Sequence, residues 1–184
     1  MKFFPDPQNI DMREEFAAIL YGREDVTQQG RLVIHRRILD ETCLACWDPN
    51  TDGSRRPSCS YCQGEGRMFR ERKETMVLFP GVAPVYKPGI LGTGQYPQSD
   101  YGYTDPNRAT AYCEYSVFPD YERYTLQQHK SYDKLYELKV NPNGSAILPL
   151  IRTAKWKILG VTPIHGDFGR VEYFELGLEK SNAD

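Results

Sequence analysis

Apolar and polar residues alternate well over 132–138 and 155–158 and weakly over 32–39, which is the period of a strand with one buried face. One segment departs from that period. Between Asp11 and Tyr21 the apolar positions Met12, Phe16, Ile19 and Leu20 fall on one helical face. Asp11 suits the N-cap, Glu14 follows three residues later, and Gly22 suits the stop, so the spacing predicts one short helix over 11–21. A weak alternation over 32–39 predicts a first strand, and 67–80 a second. Further strands are expected over 111–118, 133–140, 146–151, 154–161 and 171–179. Asn141-Pro142-Asn143-Gly144 and the stretch His165 to Gly169 supply explicit turns between them. Short strands with regular turns predict a mainly β fold, a small antiparallel β-barrel or sandwich with one N-terminal helix.

Two stretches interrupt the pattern. Residues 42–66 are polar around Asp48-Pro49-Asn50-Thr51-Asp52-Gly53 and offer no apolar face to bury. Residues 80–108 mix Pro80, Pro84, Pro88, Pro97 and Pro106 with five glycines and with Tyr86, Tyr96, Tyr101 and Tyr103. A stretch of that length without strand or helix pattern is usually functional or disordered, and its tyrosines favour an extended arm that meets a neighbour over a plain surface loop. The organisation read from this is an N-terminal helix and extension over 1–30 and a β domain over 31–184. The β domain carries an insertion at 42–66 and an arm at 80–108.

The insertion holds the most specific chemistry. Cys43-Leu-Ala-Cys46 and Cys59-Ser-Tyr-Cys62 are separated by twelve residues. Each CxxC turn aims two thiolates at one point, and two such turns complete a tetrahedron around a metal ion. The spacing predicts one structural Zn2+ held by Cys43, Cys46, Cys59 and Cys62. Disulfides and iron in the same four-thiolate geometry are the alternatives. No histidine lies between the pairs, and four cysteines close the shell, so the expected ion is a staple and not a reaction centre. Gly64 and Gly66 let the backbone turn sharply beside the second pair.

Composition narrows the rest. The 184 residues carry a formal charge of −2, which argues against a dominant basic surface. Arg55, Arg56, Arg67, Arg70, Arg72 and Lys73 cluster near the insertion, but acidic residues are interspersed, and offsetting thiolate charge is the favoured role over phosphate contacts. No apolar run approaches the ~20 residues that cross a bilayer. An early break at Pro5 predicts no secretory leader, and a reducing compartment is expected. The 13 tyrosines suit either interfaces or strands. His35, His129 and His165 form no ligand pattern, and no nucleophile elbow or phosphate loop is present, so no catalytic residue is assigned and no enzyme is expected. Cys113 stands alone and reads as a small buried hydrophobe.

Cys59-Ser-Tyr-Cys62-Gln-Gly64-Glu-Gly66 resembles one copy of the CxxCxGxG element of the DnaJ cysteine-rich domain. A wider resemblance covers roughly residues 31–179. The order Cys-x-x-Cys-Trp-Asp, a polar loop, Cys-x-Tyr-Cys-x-Gly-Glu-Gly and a strand is similar to a zinc-containing class of tailed-phage head-to-tail connector, or neck, proteins. The segment Lys155-Trp156-Lys157-Ile158-Leu159-Gly160-Val161-Thr162-Pro163, then Gly166-Asp167-Phe168-Gly169 and a last strand, is similar to the closing strands of phage head-closure (stopper) barrels. The resemblance implies a structural virion protein, made in the host cytoplasm. It would form a ring with copies of itself between a portal or adaptor protein and tail proteins. Packaged DNA would pass through the ring without sequence-specific binding, and no membrane would be involved. Another virion role, in tail completion or the baseplate, and a zinc-ribbon nucleic-acid-binding or chaperone-like module are the alternatives.

Overall fold

The computed structural model describes residues 11–81, 106–121, 124, 133–141, 147–166 and 169–181. The elements are α1 (Met12–Tyr21), β1 (Arg31–Thr42), β2 (Trp47–Asp48), β3 (Gly53–Ser54), β4 (Arg67–Pro80), β5 (Arg108–Glu114), β6 (Lys134–Leu138), β7 (Arg152–His165) and β8 (Val171–Lys180). The expected mainly β chain with one helix is what forms. Most of the arm expected over 80–108 lies outside the described residues, as do His129 and the centre of the Asn-Gly turn.

The six long strands pair antiparallel in the order β1-β4-β5-β8-β7-β6, and β6 pairs back onto β1, which closes the sheet as a barrel. Closure leaves no edge strand, although β4 meets β5 only over Val77–Pro80. Inside sit Val33, Met76, Leu78, Ala111, Cys113, Phe118, Leu135, Trp156, Ile158, Phe174, Leu176 and Leu178, all buried. β8 shows why the pattern works: Glu172, Phe174, Leu176 and Leu178 are buried, and each residue between them is partly exposed. Phe174 packs edge-on to Phe118 at 5.9 Å between centroids. Burial also pushes the Cys113 thiol well up, with Glu74 and Glu114 adding to the effect, so it behaves as the small hydrophobe expected.

The weak alternation of β1 has a structural reason. Val33 points into the barrel core, while Ile34 joins Tyr136 and Leu138 in a second apolar cluster. Both faces of the strand are covered, so Val33, Ile34, His35 and Arg36 are buried in succession.

Two strands differ from expectation. The expected 111–118 strand runs instead over Arg108–Glu114, because its pairing with β8 spans Arg108↔Glu179 to Glu114↔Tyr173. Phe118 then turns back into the core. The expected 146–151 strand is replaced by irregular chain over 147–151, with Leu148 79% exposed. Pro149 cannot donate to a ladder. The segment keeps two bonds to Lys139, from Ile147 N to its carbonyl and from its own N to Ile151 O.

The helix forms as read. Asp11 accepts from Arg13 N at 3.0 Å as the N-cap, and Gly22 N donates to Ala18 O at φ 84°. Arg13 fastens α1 to β8 through Val171 O and stacks on Tyr115, and Arg170 reaches Asp11. The expected face is covered only in part. Ala18 and Leu20 are covered and Phe16 stacks on Tyr173 at 4.7 Å, but Met12 and Ile19 are exposed. A groove of about 460 Å³ is left open between Met12, Phe16 and Ile19 on the helix and Phe79, Tyr112 and Tyr173 on the barrel.

Candidate functional site

The insertion between β1 and β4 is built from turns, with one two-residue hairpin, β2–β3. Local chemistry shapes it. Trp47 N and Cys46 N both bond Cys43 O, and Gln63 N bonds Cys59 O, so each CxxC segment closes on its own first cysteine. Cys43 N bonds Gly66 O, which ties the two knuckles together. Gly66 has φ 73°, and a Cβ there would stand 2.5 Å from the Gly53 carbonyl carbon. Gly64 has φ 83°, and its Cβ would meet Pro57 O at 2.4 Å. Both positions therefore demand glycine, for conformation and for space.

These turns bring Cys43, Cys46, Cys59 and Cys62 together, all buried, with their sulfurs within 4.8 Å of one another. Cys43 and Cys59 Sγ stand 3.8 Å apart, and Cys46 and Cys62 Sγ 3.2 Å. Gly66 N donates to Cys62 Sγ at 3.3 Å and Ser54 Oγ to Cys46 Sγ at 3.1 Å. Such donors favour thiolate over thiol. The Cys59 thiol is pulled down to about 6, chiefly by the N–H groups of Cys62 and Tyr61. Ser54 acts to lower Cys46, but burial and the bonds from the other thiols outweigh it and push Cys46 up to about 12. Four buried sulfurs at one point can hold a single metal ion.

The sequence did not reveal what holds this cluster against the barrel. Arg36, 2% exposed on the outer face of β1, is the centre of the seam. Its guanidinium bonds Glu71 at 2.6 Å and Gln63 at 2.6 Å, and lies 3.6 Å from Glu65. Phe69 covers it at 4.0 Å. Lys134 of β6 also bonds Glu65, and Arg152 of β7 bonds Glu71 at 2.7 Å. Gln63 and Glu65 come from the second knuckle, so a buried arginine bridges insertion and barrel. The signal available in advance was slight: Arg36 is one of three consecutive basic residues, His35 to Arg37, inside the strand, and nothing in the sequence singles it out.

Two of the basic residues near the insertion have carboxylate partners. Arg55 meets Asp48 at 3.5 Å, and Arg67 meets Asp52 at 3.0 Å while stacking over Trp47. Arg70 and Arg72 line a pocket with His35 and Arg37. His35 is buried beside Asp133 at 3.5 Å. Asp133 accepts from Ile38 N at 2.9 Å and from Tyr124 Oη. Burial works to raise its carboxyl, but His35, Tyr124 and Ile38 together hold it below the usual carboxylate range. Among the described residues no helix is long and apolar enough to cross a membrane. No protein-family profile matches the chain, and comparison with curated proteins finds no match.

Proposed function

We propose that this is a structural protein of a tailed-phage virion, placed in the neck as a ring that joins portal or adaptor to tail and helps retain or pass DNA. The structural observation that carries the reading is the open groove beside α1. Met12, Ile19 and Phe79 are exposed next to Tyr112 and Tyr173, a contiguous apolar surface of the kind an assembly protein covers on binding. A second copy of the chain is the occupant in this reading, since a ring repeats one interface around its axis. The similarity of the cysteine module and of the closing strands to connector proteins supplies the location. A formal charge of −2 suits a wall that DNA slides past and does not stick to.

The ion in the insertion is zinc in this proposal. Four thiolates at ~2.3 Å from a tetrahedral zinc would stand about 3.8 Å apart. The Cys43–Cys59 separation of 3.8 Å matches that spacing, and the Cys46–Cys62 separation of 3.2 Å is tighter. Zinc supplies no chemistry here; it orders a segment that has no core of its own. The protein is then not an enzyme, and its work is mechanical.

Mass spectrometry of purified particles tests the reading, with native mass spectrometry of the isolated protein as the second measurement. The protein should be a stoichiometric virion component, and the isolated chain should form rings that Ile19→Glu or Phe79→Glu breaks into folded monomers. Presence only in infected-cell extract, never in particles, would replace this reading with the nucleic-acid-binding or chaperone-like one.

A further inference from the structure

Antiparallel pairing of β1 with β4 sets His35 opposite Arg72 and Arg37 opposite Arg70. Residues directly opposite share a face of the sheet. This face is the inner one, since Val33 and Met76 of the same rows enter the core. At the barrel mouth nearest the insertion these four residues, with Leu39, Val117 and Pro119, line a pocket of about 280 Å³. Among the described residues the lining holds three arginines and a histidine; Asp120 pairs with Arg37 and Asp133 lies beside His35, but Arg70 and Arg72 face like-charged or basic residues across the strand pair.

The hydrogen bonds sharpen the point. Among the described residues two buried side-chain polar atoms lack a hydrogen-bond partner: His35 Nε2 and Arg37 Nε. Both belong to this one pocket. His35 is 4% exposed, and Asp133, at 3.5 Å, does not meet its Nε2 in hydrogen-bond geometry. Arg37 spends its terminal nitrogen on Asp120 and leaves Nε unused. Arg70 and Arg72 are exposed and have no hydrogen bond or ion pair among the described residues. Glu74, deeper on the same face opposite Val33, has its carboxyl raised by burial, with His35 and Arg72 pulling the other way. Unsatisfied buried donors in a native fold call for a water or an ion. Donors that converge from three arginines and a histidine specify an anion.

We propose that the barrel mouth is an oxyanion site for a phosphate group, held by His35, Arg37, Arg70 and Arg72. Arginine forks match the oxygen geometry of phosphate, and the buried His35 and the buried Nε of the partly exposed Arg37 lie beneath the exposed Arg70 and Arg72. The group enters from the open mouth. The site stands independently of the neck assignment.

The test is a calorimetric titration of the metal-loaded protein with inorganic phosphate in a phosphate-free buffer, with imidazole resonances of His35 followed by NMR in parallel. Saturable binding with a shift of the His35 signals is expected. Arg70→Gln and Arg72→Gln, both at exposed positions that the fold tolerates, should each weaken phosphate by roughly tenfold or more, the worth of a charge-assisted bond. Arg55→Gln on the insertion should change nothing. A second arm adds a short duplex oligonucleotide. Displacement of phosphate by the duplex assigns the site to nucleic-acid backbone, and failure to displace it assigns the site to free phosphate; either result sustains the proposal. No saturable binding at millimolar phosphate, or binding untouched by both arginine changes, would overturn it and leave the pocket to water.

Discussion

The barrel and the cysteine insertion share one chain and solve the problem of order in opposite ways. The barrel buries Phe174, Leu176, Leu178, Met76 and Trp156 among one another, so its stability is spread over many apolar contacts. The insertion buries its four cysteines with only Met68 packed against them. Its order is concentrated at one point, where four sulfurs converge. A distributed core degrades in steps, whereas a four-ligand staple fails when any ligand is lost. Arg36 lies between the two regimes and couples them through Glu65, Gln63 and Glu71.

The largest expected effect breaks the comparison on the insertion side. Structural zinc sites of this type are worth on the order of 10 kcal/mol or more to the segment they order. Elemental analysis should give one zinc per chain, and Cys59→Ser or a strong chelator should remove it. Amide exchange should then rise across 42–66 while β5, β7 and β8 stay protected. Two disulfides in place of free thiols would refute the staple.

Next comes the barrel side. Phe174→Ala removes a ring packed against Phe118 and Tyr121, and should cost about 3–5 kcal/mol of global stability in denaturant. Metal content of the folded fraction should not change. If this variant instead released metal before the barrel unfolded, the two regions would not be separable as described.

The seam should show a smaller effect. Arg36→Leu leaves Glu65 with Lys134 and Glu71 with Arg152, so a loss of about 2–3 kcal/mol is expected, below that of a fully orphaned buried charge. Its signature is selective: the insertion should gain exchange and mobility while zinc stays bound. Equal loosening of β5 and β8 would show that Arg36 serves the barrel alone.

The smallest effect is on pH. The folded-state pKa of Asp133 is lowered, so its contribution is present above the ordinary carboxylate value near ~3.9 and fades as pH falls toward the folded value. Asp133→Asn should flatten the stability profile in that acid window and leave the profile at neutral pH parallel to the parent. A profile unchanged by the substitution would remove Asp133 from the acid response.

Local rules reached far where neighbours in sequence do the work. The helix begins at the Asp11 cap and ends at Gly22, because capping involves groups a few residues apart. β4 spans Arg67–Pro80, the bounds expected of the second strand. The cysteine cluster was legible because each CxxC turn is local, and two turns of that kind have one obvious meeting point. The 146–151 segment misled because its apolar content outweighed Pro149 in the reading, whereas the backbone donor that proline lacks decides the ladder.

The sequence by itself determined the local pieces of this protein: the helix, the strand periods and the sulfur ligands, all set by contacts between near neighbours. Only the tertiary structure decided the strand order that places β5 between β4 and β8, the burial of Arg36 under Phe69, the open face of α1, and the meeting of His35, Arg37, Arg70 and Arg72 at one mouth. Those features depend on residues tens of positions apart. Periodicity tells which side of a strand faces inward, but not which other strand it faces, and the closing of the sheet is what supplies that second fact.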